Sequence, residues 1–261
     1  MLALPGKKTE CLGTAMIERL VLAWGLLAAT LGLAACGNPS VSIGCADLGF
    51  AAVSDPIERV QLRGFSVLPP TGPHWCLTAR GETGVVYGKN AFGGRTLQAV
   101  PSLEEQIHTF VAMAYVAEVD GPRPADAEAL RAFVEKWLRS GGLSQVQDPS
   151  GTTVMSDKPV AETRFTVVQA SVAVDSSLGA SCVRASSIVE ERDNPRARGA
   201  VLILEEPDNY VCLHPTSPRE LIVFGYSERY IKDRHPGPRF VETLKPELEP
   251  FIRGIRFDAA G

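Results

Sequence analysis

The order of local signals predicts an α+β fold: an antiparallel β-sheet with helices packed on one face, preceded by an apolar N-terminal segment and a tether. Three observations predict it. Residues 64–100 break into short β-prone runs punctuated by Gly and Pro. Residues 102–139 hold two stretches with apolar side chains at helical spacing. Residues 164–227 return to β-prone runs separated by turns. Strands in runs, with helices in a separate block, mark α+β rather than an alternating α/β chain.

The first element is an export segment. Residues 20–35 read LVLAWGLLAATLGLAA, without a charge, behind Arg19 and the more distant Lys7 and Lys8. A basic flank, a short apolar run and small residues at its end describe a secretory signal. Sixteen residues fall short of the roughly 20 that cross a hydrocarbon core of about 30 Å. Met16 offers a second start that leaves a more compact signal, Met16-Ile17-Glu18-Arg19. The run ends in Leu33-Ala34-Ala35-Cys36, which resembles the lipobox of bacterial lipoproteins.

That resemblance implies a signal peptide over residues 1–35, cleaved before Cys36, and acylation of the Cys36 thiol. Several acyl chains make such an anchor stable where one is marginal. Gly37 stands where inner-membrane retention places Asp, which implies the periplasmic face of the outer membrane. Residues 36–59 then form a lipidated tether, and residues 60–257 the α+β domain. The expected partners are the membrane, through the anchor, and another envelope protein.

Composition fits a folded chain. With 45% hydrophobic and 21% charged residues, it lies in the globular range and outside the disordered one. Removing residues 1–35, which carry three basic and two acidic side chains, moves the net charge from −4 to −5. A mildly acidic domain lacks the clustered cations that nucleic acid requires.

Within the domain, Phe65-Ser66-Val67-Leu68 alternates before the rigid Pro69-Pro70 turn, and Trp75-Cys76-Leu77-Thr78 resumes the strand. Val85-Val86-Tyr87 and residues 96–100 continue an antiparallel meander. Ser102-Leu103-Glu104-Glu105 is a capping box, and Leu103, Ile107, Phe110, Val111 and Ala114 follow at helical spacing. A second helix is expected over residues 125–139. There Leu130, Val134, Trp137 and Leu138 form one stripe, Pro124 precedes and Gly141-Gly142 stops it. Residues 143–162 form a polar excursion.

Strands are then expected at residues 165–174, 180–189, 200–204, 210–214 and 221–227. Turns are expected at Asp193-Asn194-Pro195, Glu206-Pro207-Asp208-Asn209 and Pro215-Thr216-Ser217-Pro218. Residues 240–252 have helical spacing interrupted by Pro246 and Pro250, which predicts a broken helix. Ile255-Arg256-Phe257 closes the domain as a short strand. This layout, with Phe65-x-Val67-x-Pro69 before Trp75 and a late helix before Ile255, loosely resembles the PsbP/Mog1-like fold over about residues 60–257. The resemblance implies a non-catalytic interaction module.

Of six cysteines, Cys11 lies in the precursor and Cys36 in the lipobox, leaving Cys45, Cys76, Cys182 and Cys212. An even number in an exported chain suggests disulfides, with three connectivities open. Cys182–Cys212 is favoured because both fall in strands of one antiparallel region, which leaves Cys45–Cys76. No zinc spacing and no close Cys/His cluster is present, so neither metal nor cofactor is expected.

Two residues invite a chemical reading. Ser227 follows a strand in Gly225-Tyr226-Ser227-Glu228-Arg229, but a nucleophile elbow needs a small residue where Arg229 stands. His214, in Cys212-Leu213-His214-Pro215, is suited to proton transfer or to capping a turn. The other histidines are His74, His108 and His235. The basic run Arg192, Arg196, Arg198 reads as a solvated turn, and Glu190-Glu191 and Glu205-Glu206 as carboxylates on alternate strand faces. No catalytic residue is assigned. The expectation is a lipid-anchored envelope protein that acts by binding. An exported hydrolase using Ser227 or His214 is the alternative.

Overall fold

The computed structural model describes residues 44–89, 91–92, 95–96, 102–140, 153–158, 164–234 and 239–259. All belong to the compact unit Ser40–Gly261. The export segment, Cys36, the Gly141-Gly142 stop, His235 and most of the 143–162 excursion lie outside the described residues.

A mostly antiparallel sheet dominates, with a few helices. Its strands run in the spatial order β1 (Ala51–Ala52), β4 (Cys76–Arg80), β5 (Gly84–Lys89), β8 (Thr109–Val119), β13 (Glu220–Ile231), β12 (Leu202–Leu213), β11 (Cys182–Glu191), β10 (Phe165–Asp175). β9 (Thr153–Met155) lies parallel to the end of β8, with Ala117 opposite Thr153. A smaller antiparallel sheet joins β2 (Val60–Leu62), β3 (Phe65–Val67) and β14 (Arg256–Phe257). β6 (Ala91–Phe92) and β7 (Arg95–Thr96) pair with each other; the rest of the strand expected at residues 96–100 lies outside the described residues.

Four features differ from the sequence reading, each for a physical reason. The first helix, α1 (Leu103–Ile107), carries both halves of its capping box. The Glu105 N–H donates to Ser102 Oγ at 3.2 Å, and the Ser102 N–H donates to Glu105 Oε2 at 2.8 Å. It ends after five residues, and Thr109 opens an eleven-residue central strand. The run Phe110-Val111-Ala112-Met113-Ala114-Tyr115 is apolar on both faces, so its spacing fits a helix and a doubly covered strand equally. Pairing with β5 on one side and β13 on the other selects the strand.

Secondly, the turn expected at Glu206-Pro207-Asp208-Asn209 is a bulge inside one twelve-residue strand, β12. Ser187 faces Glu206 and Ala185 faces Asn209, so three steps of β12 oppose two of β11. The inserted residue reverses the alternation. Leu202, Leu204 and Glu206 therefore point to the same face as Asn209 and Val211.

Thirdly, the helices do not share one face. α2 (Ala127–Arg139) is capped by Asp126, whose Oδ1 accepts the Ala129 N–H at 2.8 Å. Its Leu130, Val134, Trp137 and Leu138 pack with Val183, Val211, Leu221 and Val223. α3 (Phe240–Thr243) and α4 (Lys245–Arg253) cover the opposite face. There Val241, Leu248 and Phe251 pack with Phe110, Tyr210, Ile222 and Phe224. Strand side chains alternate between the two cores, so a sheet apolar on both sides needs both covers.

Fourthly, order begins before Val60. Ala46–Leu48 form a short 3₁₀ helix, and β1 pairs with β4 through Ala51–Leu77 and Ala52–Cys76. A disulfide joins Cys45 to Cys76, holding this stretch on the edge of the sheet.

Candidate ligand cleft

A cavity of about 570 Å³ opens on the α2 side of the main sheet. Thr109 and Val111 of β8 stand opposite Arg229 and Ser227 of β13, and Leu204 of β12 stands opposite Arg229. All five side chains line the cavity, with Leu202. The bulge at residues 206–209 is what turns Leu202 and Leu204 toward it. Gln106 and Ile107 of α1 form one wall, and the β11–β12 connection supplies Asn194, Pro195, Arg196 and Arg198 as the other.

That connection is held firmly. Ala197 is fully buried with Ile107, Leu202 and Ile231. Asn194 Nδ2 donates to Glu191 Oε1 at 2.7 Å, and Asn194 Oδ1 accepts the Arg196 N–H at 2.9 Å. The backbone is left-handed at Asp193 (φ 56°), Arg198 (φ 50°) and Gly199 (φ 83°). Such a φ is uncommon for a residue other than Gly, and here it reverses the chain around the Ala197 anchor. Arg196 and Arg198, on either side of that anchor, both reach the cleft.

The charges beneath are arranged unequally. Glu191 is fully buried. Arg164 Nη2 lies 3.0 Å from its Oε1, and Arg229 Nε lies 3.5 Å from its Oε2. Arg192 pairs with Glu190, which also accepts Lys232; these two cations hold the Glu190 carboxyl below the usual range. Arg196 and Arg198 form no ion pair among the described residues. The cleft thus has a mixed floor, with Val111, Leu202 and Leu204 beside Thr109, Ser227 and Arg229, two guanidinium groups with no ion pair among the described residues, and no carboxylate among its lining residues.

Ser227 faces this cleft, and its hydroxyl makes no hydrogen bond among the described residues. Its neighbour Glu228 points to the other side of the sheet, where Oε1 lies 2.7 Å from His108 Nε2. Glu228 also accepts the Phe240 and Val241 N–H groups at 3.0 Å each, capping α3. His108 stacks on Phe240 with ring centroids 4.2 Å apart.

His214 lies elsewhere and is buried. Its Nδ1 accepts the Ser217 N–H at 3.0 Å and the Thr216 N–H at 3.3 Å, while Nε2 donates to the Arg63 carbonyl at 3.0 Å. Both ring nitrogens are thereby engaged in holding the 214–217 turn against β2 and β3. A Cβ at Gly64 (φ 85°) would come within 2.1 Å of His214 Nε2, so glycine is required there.

The four domain cysteines form Cys45–Cys76 and Cys182–Cys212 disulfides; the second links directly opposed residues of β11 and β12. His74 is exposed in a turn at φ 66°. No group of three or more His, Cys, Asp or Glu suited to a metal occurs among the described residues.

The sequence singles out Ser227 and reads Arg196 and Arg198 as a solvated turn, and both arginines are exposed in a turn at residues 195–199; that this turn borders the cleft is not visible in the sequence. The local signal is Asn194-Pro195-Arg196-Ala197-Arg198-Gly199, two cations around a small apolar residue in a loop bounded by Pro and Gly. No family model matches this chain, and no curated protein matches it in sequence.

Proposed function

We propose that this chain is a lipid-anchored protein of the cell envelope that acts by binding, with its ligand seated over Leu202 and Leu204. The cleft of about 570 Å³ carries the reading, because pockets of roughly 300–1,000 Å³ are the size that takes small-molecule ligands. Its wall at residues 194–199 is braced by a buried alanine and side-chain hydrogen bonds. A site built on braced elements binds without first ordering them. The two disulfides accord with an oxidising compartment, and Leu33-Ala34-Ala35-Cys36 supports acylation of Cys36 and delivery to the periplasmic face of the outer membrane.

The hydrolase alternative draws support from the position of Ser227 in the cleft. The arrangement around it favours binding. Thr109, Val111 and Arg229 are its cross-strand and cleft neighbours, the His108–Glu228 pair lies on the other face, and both nitrogens of His214 are occupied by backbone groups.

The test is native mass spectrometry of the mature protein extracted from membranes in a neutral detergent. The expected spectrum carries acyl mass on Cys36 and a further non-covalent mass that a Leu204→Trp variant lacks. Absence of the non-covalent mass, or its retention in Leu204→Trp, would overturn the cleft as the binding site. A free Cys36 thiol would overturn the anchor.

A further inference from the structure

We propose that the cleft binds an amphiphilic anion, a molecule with one phosphate or carboxylate headgroup on an aliphatic body. This rests on the reading of the cleft as a binding site and assigns its ligand class. The floor sets the body: Leu204 and Val111, backed by the nearly buried Leu202 and Ile107, form an aliphatic strip that runs between the Thr109, Ser227 and Arg229 side chains. The rim dictates the head: Arg196 and Arg198 lie on the same wall, two residues apart, with Ala197 between them fully buried.

Arginine forks match phosphate and carboxylate oxygens in pairs of parallel hydrogen bonds. Elsewhere around this end of the sheet the cations have carboxylate partners. Arg192 and Lys232 share Glu190, Arg234 lies 3.7 Å from Glu104, and Arg164 and Arg229 flank Glu191. Among the described residues Arg196 and Arg198 are left as positive charge without an ion pair, in a domain whose net charge is negative. A cleft of one sign within low-dielectric walls concentrates the field on a ligand of the other. Asn194 holds Glu191 through Nδ2 and the Arg196 backbone through Oδ1, so the buried carboxylate that neutralises Arg229 also positions the loop bearing the two free cations.

Titration of the mature protein in phosphatidylcholine nanodiscs tests this. Hexyl phosphate, 1-hexanol and inorganic phosphate are the probes, the six-carbon tail being short enough to remain in solution. Hexyl phosphate should bind at least tenfold more tightly than either of the others. An Arg196→Gln/Arg198→Gln double variant should lose at least tenfold of that affinity while keeping the wild-type affinity for 1-hexanol and the wild-type melting temperature.

Hexyl phosphate binding no tighter than 1-hexanol, or hexyl phosphate binding indifferent to the double variant, overturns the anion. If Leu204→Trp still weakens 1-hexanol, the cleft remains the binding site and only the ligand class fails. Adding phosphatidylglycerol to the discs separates two sources of the same chemistry: competition with hexyl phosphate supports a bilayer lipid, and unchanged affinity supports a soluble amphiphile.

Discussion

Asn209 lies directly over Gly225, so close that a Cβ on Gly225 would come within 1.9 Å of the Asn209 side-chain oxygen and 2.7 Å of the Asp208 carbonyl. The bulge of β12 closes onto β13 at this point, and only a residue without a side chain admits it. The contact matters beyond the bulge, because the reversed alternation brings Leu202 and Leu204 to the cleft. Gly225→Ala should destabilise the fold by at least about 2 kcal/mol, as overpacking against backbone does. Urea unfolding checks it. Removing the Asn209 side chain in the same protein should rescue only part of the loss, since the Asp208 carbonyl stays in place.

Glu206 predicts a pH dependence. It is buried at the bulge on the α2 face, accepts the Ser187 hydroxyl at 2.9 Å, and neighbours Asn209, Tyr115 and Trp137. Burial pushes its carboxyl up to about 7, with the hydrogen bonds from Ser187 and Asn209 opposing the shift. The folded state therefore holds a proton that the unfolded chain releases near pH 4.5. Stability from this group is complete below about 4.5, falls as pH rises through about 7, and is level above; the change is on the order of 3 kcal/mol. Melting temperature should decline between pH 5 and 8. Glu206→Gln, neutral throughout, should flatten that decline; an unchanged slope would assign it to other groups.

The carboxylate of Glu228 accepts the Phe240 and Val241 amides and lies beside the His108 ring and, at 3.9 Å, Arg239 Nε. Replacing it with Ala leaves buried N–H groups without acceptors. Glu228→Ala should cost about 3 kcal/mol, with hydrogen exchange accelerating first at Phe240 and Val241. Glu228→Gln keeps the shape and one acceptor oxygen, and should cost less. Equal losses in the two variants would mean that α3 is held by packing rather than by its cap.

Each disulfide closes a loop of about thirty residues, Cys45–Cys76 with a separation of 31 and Cys182–Cys212 with one of 30. Cys182→Ser/Cys212→Ser should lower stability by about 3 kcal/mol through the freed unfolded chain. Thiol labelling of the denatured wild-type protein should find none of these four sulfurs reactive until a reductant is added.

Features carried by a few neighbouring residues were legible from the chain alone. The Ser102–Glu105 capping box, the stripe of α2, the broken C-terminal helix and the reversal at Asp193-Asn194-Pro195 each depend on local composition, spacing or backbone preference. Apart from the break expected at residues 206–209, the strands of the 164–227 region follow from the sequence to within a few residues, because Val, Ile and Tyr runs between turn residues behave alike in any antiparallel setting.

Tertiary structure decided the rest, and the reason is common to all of it: the deciding partner lies far along the chain. Thr109–Val119 is a strand because β5 and β13 supply its backbone partners; its own apolar run is equally compatible with a helix. Glu206-Pro207-Asp208-Asn209 is a bulge because β11 and β13 continue past it on both sides, where isolated it reads as a turn. The helices divide between two faces because the central strands are apolar on both. The cleft exists because the first two of these outcomes coincide at one end of the sheet, with Arg196 and Arg198 lining it beside strand residues that come from three separate segments.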